Sequence, residues 1–338
     1  PGGLAMVMVV SCMLFGAISG SGVADVVAIG SILLPAMKQQ GYRKPFSAAL
    51  LGCAGSLGTI IPPSIVMVVL GVSMGTSIGK LFLGGVIPGI ITGLGLMAIS
   101  YMISLKENYP RLEKAPWSEV FSSLRAALLP LLTPAIIIGG ILKGIFTATE
   151  AGGVAALYAL LLSMFVYRKL TWRRFFEICL ETARTSAVVL FLIAAASLFG
   201  WVLAAENIPQ MVAAAMLSIS TNYWVVLILF NILLLVLGMF METIAIILIV
   251  IPIFFPILQQ LGVDPVHLGV MVCVNLAIGA NTPPLGVDLL AACKVADIPY
   301  ESSFRYLLPF IGSMVLALLL IMVFPPLVTF LPNLLMGG

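Results

Sequence analysis

Long apolar runs, separated by short polar breaks, follow one another along almost the whole chain. A helical run of about 20 apolar residues matches the thickness of a bilayer, and the sequence lacks the short alternating segments that are typical of a membrane barrel. The pattern therefore predicts an all-α integral membrane protein. The predicted helices lie near residues 4–18, 23–37, 45–72, 82–104, 126–146, 149–167, 184–204, 209–219, 223–240, 244–259, 266–294 and 304–331.

Composition supports a membrane protein. The chain is 62% hydrophobic and only 9% charged, whereas roughly 25% of the residues in a soluble domain are charged. The mean hydropathy is +1.21. The net charge of +3 is explained by orientation in the membrane, so no nucleic-acid partner is expected. The chain opens at Pro1 in the middle of the pattern, and we expect earlier residues to be absent.

Residue types that carry catalytic chemistry are scarce. The sequence shows no metal-ligand cluster, no nucleophile paired with a base and no phosphate-binding loop, so an enzyme is not expected. The five cysteines lie scattered in apolar segments and are predicted to fill buried space. The single histidine, His267, lies beside Asp264 in a short polar loop and is predicted to be a surface residue.

Basic residues predict the topology. They concentrate in the segments 38–44, 106–114 and 167–174, which are therefore expected to face the cytoplasm. Segments 4–18 and 23–37 must then enter from the cytoplasm, turn at "SGSG" (19–22) and return as a re-entrant hairpin. The mixed basic, aromatic and apolar segments "WSEVFSSL" and "TWRRFFEICLETA" predict interfacial helices. The spacing of Gly85, Gly89 and Gly93 indicates one helix face that packs closely.

The sequence also contains an internal repeat. An offset of 221 residues pairs "LLPAMKQQGY" (33–42) with "FFPILQQLGV" (254–263), Gly58 with Gly279, and the proline pair 62–63 with the pair 283–284. The loop after the second copy has no basic residue, so the two copies are predicted to face opposite sides, as in transporters built from inverted repeats. The predicted domains are a first repeat (1–80), scaffold and interfacial helices (81–220), a second inverted repeat (221–296) and a C-terminal scaffold helix (297–338).

Each repeat contains a helix that is broken by two prolines. Proline cannot donate to the carbonyl four residues earlier, so the breaks are predicted to release the carbonyls of residues 58, 59, 279 and 280. Unpaired carbonyls at membrane depth require a cavity or a cation, and sodium fits such oxygens. Oxygens of Ser19, Gly20 and Ser21 at one hairpin turn, and of Glu242 and Thr243 at the other, complete the predicted cages. The alternative is that the prolines only kink the helices.

The half-helices that restart after the breaks direct free N–H groups inward, where a substrate carboxylate could dock. Asp25, Glu242 and Asp288 are ionisable residues predicted inside the membrane, and such residues are candidates for function. Asp25 and Asp288 could instead cap a helix, and Thr147 with Glu150 is predicted to form a capping box. The candidate substrate-binding residues are Ser21, Asp25, Ser64, Glu242, Asn281 and Asp288.

Four motifs, in order, carry a family resemblance that extends over essentially the whole chain. "GAISGSGVADVVAIGSILLPAM", "AGSLGTIIPPSIVMVVLG", "GIFTATEAGGVAALYALL" and "GANTPPLGVDLL" resemble the large membrane subunit of tripartite ATP-independent periplasmic (TRAP) transporters. The resemblance implies a multi-pass protein of the bacterial inner membrane that takes up an organic acid with sodium by an elevator mechanism. It also implies two partners, a periplasmic substrate-binding protein and a small four-helix membrane subunit.

The resemblance implies two sodium sites. The first would use Ser19, Gly58, Ile61 and Pro63, and the second Thr243, Gly279 and Thr282. The substrate stays open between a C4-dicarboxylate, sialic acid and other carboxylates. A stand-alone divalent-anion/sodium symporter of related architecture is the alternative among transporters, and an ion channel is the alternative outside them.

Overall fold

A computed structural model describes residues 2–110, 116–208, 211–212, 215 and 222–337. This part of the chain is all-helical, as predicted, and seven of its helices are long and apolar enough to cross a membrane. Most of the helix predicted near 209–219, and residues 111–114 of one predicted cytoplasmic loop, lie outside the described residues. The division of the chain into two repeats and a scaffold stays a prediction.

Most predicted helices are present close to their predicted positions. In the described residues they are α1 (Gly3–Ser19), α2 (Gly22–Gln39), α3 (Lys44–Gly55), α4 (Ile65–Met74), α5 (Ile78–Lys106), α6 (Trp117–Leu142), α7 (Ala148–Leu161), α8 (Trp172–Ala205), α9 (Tyr223–Gly238), α10 (Thr243–Gln260), α11 (Pro265–Gly279), α12 (Val287–Ala296), α13 (Phe304–Val323) and α14 (Pro326–Met336).

Three predictions of helix extent were wrong. The segments predicted as separate interfacial helices are the first turns of α6 and α8, because no proline or glycine interrupts the chain at either junction. The predicted C-terminal helix 304–331 is divided at Phe324. Pro325 and Pro326 follow Phe324, and because proline lacks an N–H and disfavours a helical residue before it, α13 ends there and α14 begins.

Helix α5 packs against α1, α11, α13 and α14, and so runs through the centre of the core. The predicted close-packing face of α5 is confirmed. A side chain added at Gly89 would meet Ile61, and one added at Gly93 would meet Met13. The small residues therefore let α1 and the broken helix α3–α4 approach the backbone of α5.

The predicted surface position of His267 was wrong. The side chain is fully buried at the start of α11, and its Nε2 atom lies 3.0 Å from the carbonyl oxygen of Ile321 on α13. Asp264 accepts a hydrogen bond from the backbone N–H of His267 and caps α11. The sequence suggested a polar loop, whereas the helix begins one residue after Asp264 and turns the imidazole towards α13.

The cysteine and capping predictions were mostly correct. Cys12, Cys53, Cys273 and Cys293 are buried as expected, but Cys179 is exposed on the outer helix α8. The first half of α8 packs against little of the described chain, and its large apolar side chains are exposed. At the start of α7, the backbone N–H of Thr147 donates to Glu150 Oε2 at 2.8 Å, and the reciprocal bond completes the predicted capping box.

Candidate functional site

The first hairpin consists of α1 and α2, and its tip is the "SGSG" stretch, residues 19–22. Gly20 has a positive φ of 67°, which glycine adopts without the steric cost of a Cβ. A Cβ at this position would lie 2.8 Å from the carbonyl oxygen of Pro63. The backbone N–H of Ile65 donates to the carbonyl of Gly20 at 3.2 Å. The tip is therefore docked directly onto the first break.

The first break comprises residues 56–64, between α3 and α4. A 3₁₀ turn covers Ser56–Thr59, and the proline pair and Ser64 follow. Ser64 caps α4 by accepting from the backbone N–H of Met67 at 3.4 Å, and its hydroxyl donates to the carbonyl of Thr59 at 2.8 Å. The prediction that Thr59 has a free carbonyl was wrong, because the chain turns back sharply enough for Ser64 to reach it.

The second hairpin consists of α9 and α10, and its tip is residues 239–242. Glu242 caps α10, where its Oε2 atom accepts from the N–H groups of Ile244 and Ala245 at 2.8 and 3.2 Å. The N–H of Leu285, in the second break (280–286), donates to the carbonyl of Met239 at 3.1 Å. This tip is thus fastened to its break by the same kind of backbone hydrogen bond as the first.

The second break satisfies its own carbonyls. The carbonyl of Gly279 accepts from the N–H of Thr282, and that of Ala280 accepts from the N–H of Asp288, both at 2.9 Å. The prediction that these two carbonyls lack hydrogen-bond donors was therefore wrong, because the tight turn brings nearby N–H groups to them. Each carbonyl oxygen still has a second lone pair that could bind a cation.

Glycine contacts hold both hairpins against the breaks. A Cβ added to Gly16 of α1 would lie 2.8 Å from the Cα atom of Gly58. A Cβ added to Gly238 of α9 would lie 2.9 Å from the Cα atom of Gly279. Gly58 and Gly279 are the pair that the 221-residue offset relates, so both halves bring a hairpin and a break together through backbone contact.

Two buried carboxylates lie at the junction of these elements. Asp25 is fully buried in the first turn of α2, and the hydroxyl of Ser19 donates to its Oδ1 atom. Asp288, in the first turn of α12, is 3% exposed and lies against Gly22 at the start of α2. In both carboxylates the Oδ2 atom has no hydrogen-bond partner within the described part of the chain. Each is therefore a buried acceptor still available to a ligand or a proton.

A cavity of about 240 Å³ opens between the two hairpin tips. We call it the tip cavity. Both tips contribute to its lining. The two breaks and the helices that follow them also contribute, and α8 forms the remaining side. The lining residues that matter most below are Ser21, Glu242, Thr243, Asp288 and Thr185.

The structure separates the predicted substrate residues into two groups. Ser21, Glu242 and Asp288 line the tip cavity, whereas the buried side chains of Asp25, Ser64 and Asn281 are not among its lining residues. The sequence did not identify Thr185 and Val189 of α8 as cavity residues, because they lie one helical turn apart in a segment predicted only as an apolar helix near 184–204. The polar stretch "ETARTS" before a long apolar run was the available signal.

The residues predicted for sodium lie at the tips and breaks, in two separate groups. Asp25 connects Ser19 to Gly58, the tip residue Gly20 lies against the carbonyl of Pro63, and Ile61 packs against Gly89 of α5. In the other half, Thr243 lines the tip cavity, Gly279 contacts α9, and the hydroxyl of Thr282 donates to the carbonyl of Ile278 at 2.7 Å. The assignment of sodium to these groups stays a prediction.

Broken helices and hairpin tips around a cavity whose lining includes carboxylates, within a bundle of membrane-spanning length, are typical of membrane transport proteins. A family model described as "Tripartite ATP-independent periplasmic transporter, DctM component" matches residues 1–327. The chain therefore belongs to the large permease family of TRAP transporters. Members are transporter permeases and not enzymes, and they are multi-pass proteins of the bacterial inner membrane.

Individual relatives cover nearly all of this chain. The isethionate TRAP transporter permease protein DctMQ of Oleidesulfovibrio alaskensis is 46% identical over 96% of the chain, which spans 51% of that protein. The sialic acid TRAP transporter large permease protein SiaM of Vibrio cholerae is 43% identical over 99% of the chain and 79% of its own length. The C4-dicarboxylate TRAP transporter large permease protein DctM of Pseudomonas aeruginosa is 42% identical over 98% of the chain and 78% of its own length.

Proposed function

We propose that this chain is the subunit of a TRAP transporter that carries an organic acid across the inner membrane, driven by sodium. One observation carries the sodium coupling. The described lining of the tip cavity includes the carboxylates of Glu242 and Asp288 but no Lys or Arg. An organic anion that enters this cavity meets like charges in surroundings of low dielectric constant, which disfavours binding unless cations accompany it.

The residues present fit such cations. Sodium prefers hard oxygen ligands. The Ser19 hydroxyl binds Asp25, which lies against Gly58, and the adjacent tip residue Gly20 lies against the carbonyl of Pro63. The unpartnered Oδ2 atom of Asp25 adds a buried negative charge beside them. Thr243, Gly279 and Thr282 offer hydroxyl and carbonyl oxygens for a second ion. Bound sodium would supply the positive charge that the tip cavity lacks.

The packing favours an elevator mechanism. Each tip is fastened to its break by a backbone hydrogen bond and by a glycine contact, so each hairpin and its broken helix can move as one body. Helix α8, in contrast, supplies one wall of the cavity through Thr185 and Val189. Movement of the hairpins and breaks past α8 would carry the cavity across the membrane. Under this proposal the two halves are inverted repeats, as the 221-residue offset and the asymmetry of basic residues suggest.

We further propose a carboxylate of the C4-dicarboxylate or sialic acid type as substrate, which a periplasmic substrate-binding protein delivers. The named substrates of the relatives, isethionate, sialic acid and C4-dicarboxylates, are all organic anions. A small four-helix membrane subunit would cover part of the outer helices α6–α8, whose large side chains, such as Trp117 and Phe191, are 78% and 74% exposed.

The test is uptake by proteoliposomes that contain the complete membrane complex. Succinate, sialic acid and isethionate would be supplied in turn, with the substrate-binding protein outside and either an inward sodium gradient or choline. We expect saturable uptake of at least one acid that requires both sodium and the binding protein. Equal uptake in choline would overturn sodium coupling, uptake without the binding protein would indicate a stand-alone symporter, and flux that does not saturate would indicate a channel.

A further inference from the structure

Asp25 occupies a notch between the first hairpin and the first break. A methyl group built on Gly16 would lie 2.9 Å from its Oδ2 atom, and one built on Gly58 would lie 3.0 Å from its Cγ atom. Any residue larger than glycine at either position would collide with the carboxylate. The chain thus keeps a fully buried acid at the place where hairpin and break touch.

This carboxylate is separated from the tip cavity. The described residues that line the cavity include Glu242 and Asp288 but not Asp25. The Oδ1 atom of Asp25 is occupied by the hydroxyl of Ser19, and its Oδ2 atom lies towards Gly16 and Gly58. A substrate in the cavity therefore does not contact Asp25, although an intramembrane acid is an obvious candidate for substrate binding.

The hydrogen bond to Ser19 has a chemical consequence. A hydroxyl can donate one hydrogen bond and accept through two lone pairs. Ser19 donates its proton to Asp25 and accepts from the backbone N–H of Ser21 at 3.2 Å, so one of its lone pairs is left for a cation at the first predicted site. The carboxylate at the same time provides a full negative charge close to the carbonyl groups of the break, where a buried charge is costly unless it is compensated.

We propose that Asp25 is the positioning and charge-compensating residue of the first cation site and acts through Ser19, not as a substrate ligand. The inference rests on the proposed sodium coupling. The second half has no equivalent acid, because the 221-residue offset places Ile246 at the position that corresponds to Asp25. The two cation sites therefore differ, and neutralisation of Asp25 weakens the first alone.

The test is thermal unfolding of the purified membrane complex, titrated with sodium at constant ionic strength against choline. Asp25→Asn keeps an acceptor for Ser19 but removes the charge. We expect the half-saturating sodium concentration to rise at least about tenfold, since the lost attraction acts over a few ångströms in surroundings of low dielectric constant. In choline the melting temperature should stay the same or rise, because an uncompensated buried charge is gone. A purely structural role for Asp25 would lower it.

Further variants separate the possible outcomes. Asp288→Asn, in the tip cavity, should change the affinity for substrate at saturating sodium, whereas Asp25→Asn should not. If the wild type shows no sodium-selective stabilisation, the proposed sodium coupling fails. If sodium stabilises the wild type and Asp25→Asn at the same half-saturating concentration, only the inference about Asp25 is overturned. The inference is also overturned if Asp25→Asn fails to fold in choline. It is likewise overturned if Ser19→Ala retains the sodium response of the wild type.

Discussion

The carbonyl oxygen of Gly20 accepts a hydrogen bond from the backbone N–H of Ile65 at 3.2 Å, which fastens the first hairpin to the start of α4. The two residues are far apart in the sequence. The bond replaces an interaction that α4 cannot provide, because the first N–H groups of a helix have no partner within it. The tip thereby completes the broken helix, and the geometry of the tip becomes a condition for the proposed cation site beside it.

Gly20→Ala tests this connection. Alanine at a positive φ costs about 1 kcal/mol or more, and here its Cβ would also lie 2.8 Å from the carbonyl oxygen of Pro63. We expect the variant to insert and fold with reduced stability, and to lose most sodium-dependent stabilisation and uptake. Thermal unfolding in sodium and in choline, together with uptake in proteoliposomes, provides the measurement.

Gly75→Ala is the matched control for Gly20→Ala. Gly75 also has a positive φ, of 61°, but an added Cβ would meet no described atom within 4 Å. The Gly75→Ala variant should therefore show a similar loss of stability without loss of the sodium response. If both variants keep the response, docking of the tip does not shape the cation site.

Gly238→Ala probes the second hairpin in the same way. Its Cβ would lie 2.9 Å from the Cα atom of Gly279, and two backbones cannot separate without a shift of the whole helix. We expect a loss of uptake of at least about tenfold, since small displacements at a site have large effects on rate. Gly312→Ala in α13, where an added Cβ finds open space among the described residues, should instead stabilise its helix slightly. Unimpaired transport by Gly238→Ala would show that the contact is not required.

The sequence predicted the hairpins and breaks well because their causes are local. "SGSG" must turn, and a proline pair must interrupt a helix, whatever surrounds them. The errors concern partners that are distant in the sequence. His267 is buried because α13 lies over it, and Thr185 reaches the tip cavity because α8 packs against α10. The hydrogen-bond donors to the carbonyls of Thr59, Gly279 and Ala280 were also missed, because they depend on how sharply the chain turns at each proline pair.

Tyr109, which follows the end of α5 near the predicted cytoplasmic face, gives a prediction for alkaline pH. The hydroxyl of Tyr109 accepts from the backbone N–H of Arg43 at 3.3 Å, and burial raises the pKa of Tyr109 to about 12. The usual value is about 10, so the folded state holds this proton more tightly than the unfolded state. The contribution to stability is then fully present below pH 10 and is lost as the pH rises from 10 to 12.

Tyr109→Phe should therefore weaken the loss of stability between pH 10 and pH 12, measured as melting temperature against pH. Its melting temperature at neutral pH should be lower than that of the wild type, since the bond to Arg43 is gone. Tyr101→Phe removes a hydroxyl from a side chain that is 43% exposed on α5, and should leave the profile unchanged. Parallel profiles for Tyr109→Phe and the wild type would contradict the assignment.

Glu242 allows the charge of the tip cavity to be tested apart from the charge of the proposed cation sites. Its carboxylate both caps α10 and lines the cavity. Glu242→Gln should lower stability by about 1 kcal/mol through the weaker cap, and should also reduce the repulsion of an anionic substrate. We expect the half-saturating substrate concentration at low sodium to fall relative to the wild type, so that uptake depends less steeply on sodium.

Glu150→Gln separates the two effects of Glu242→Gln, because Glu150 caps α7 by comparable hydrogen bonds but is not among the described residues that line the tip cavity. Its stability should fall by a similar amount while the sodium dependence of uptake stays that of the wild type. If Glu242→Gln and Glu150→Gln behave alike in uptake, the acidic lining does not impose the sodium requirement. The coupling would then depend on the cation sites alone, with Asp25 at the first of them.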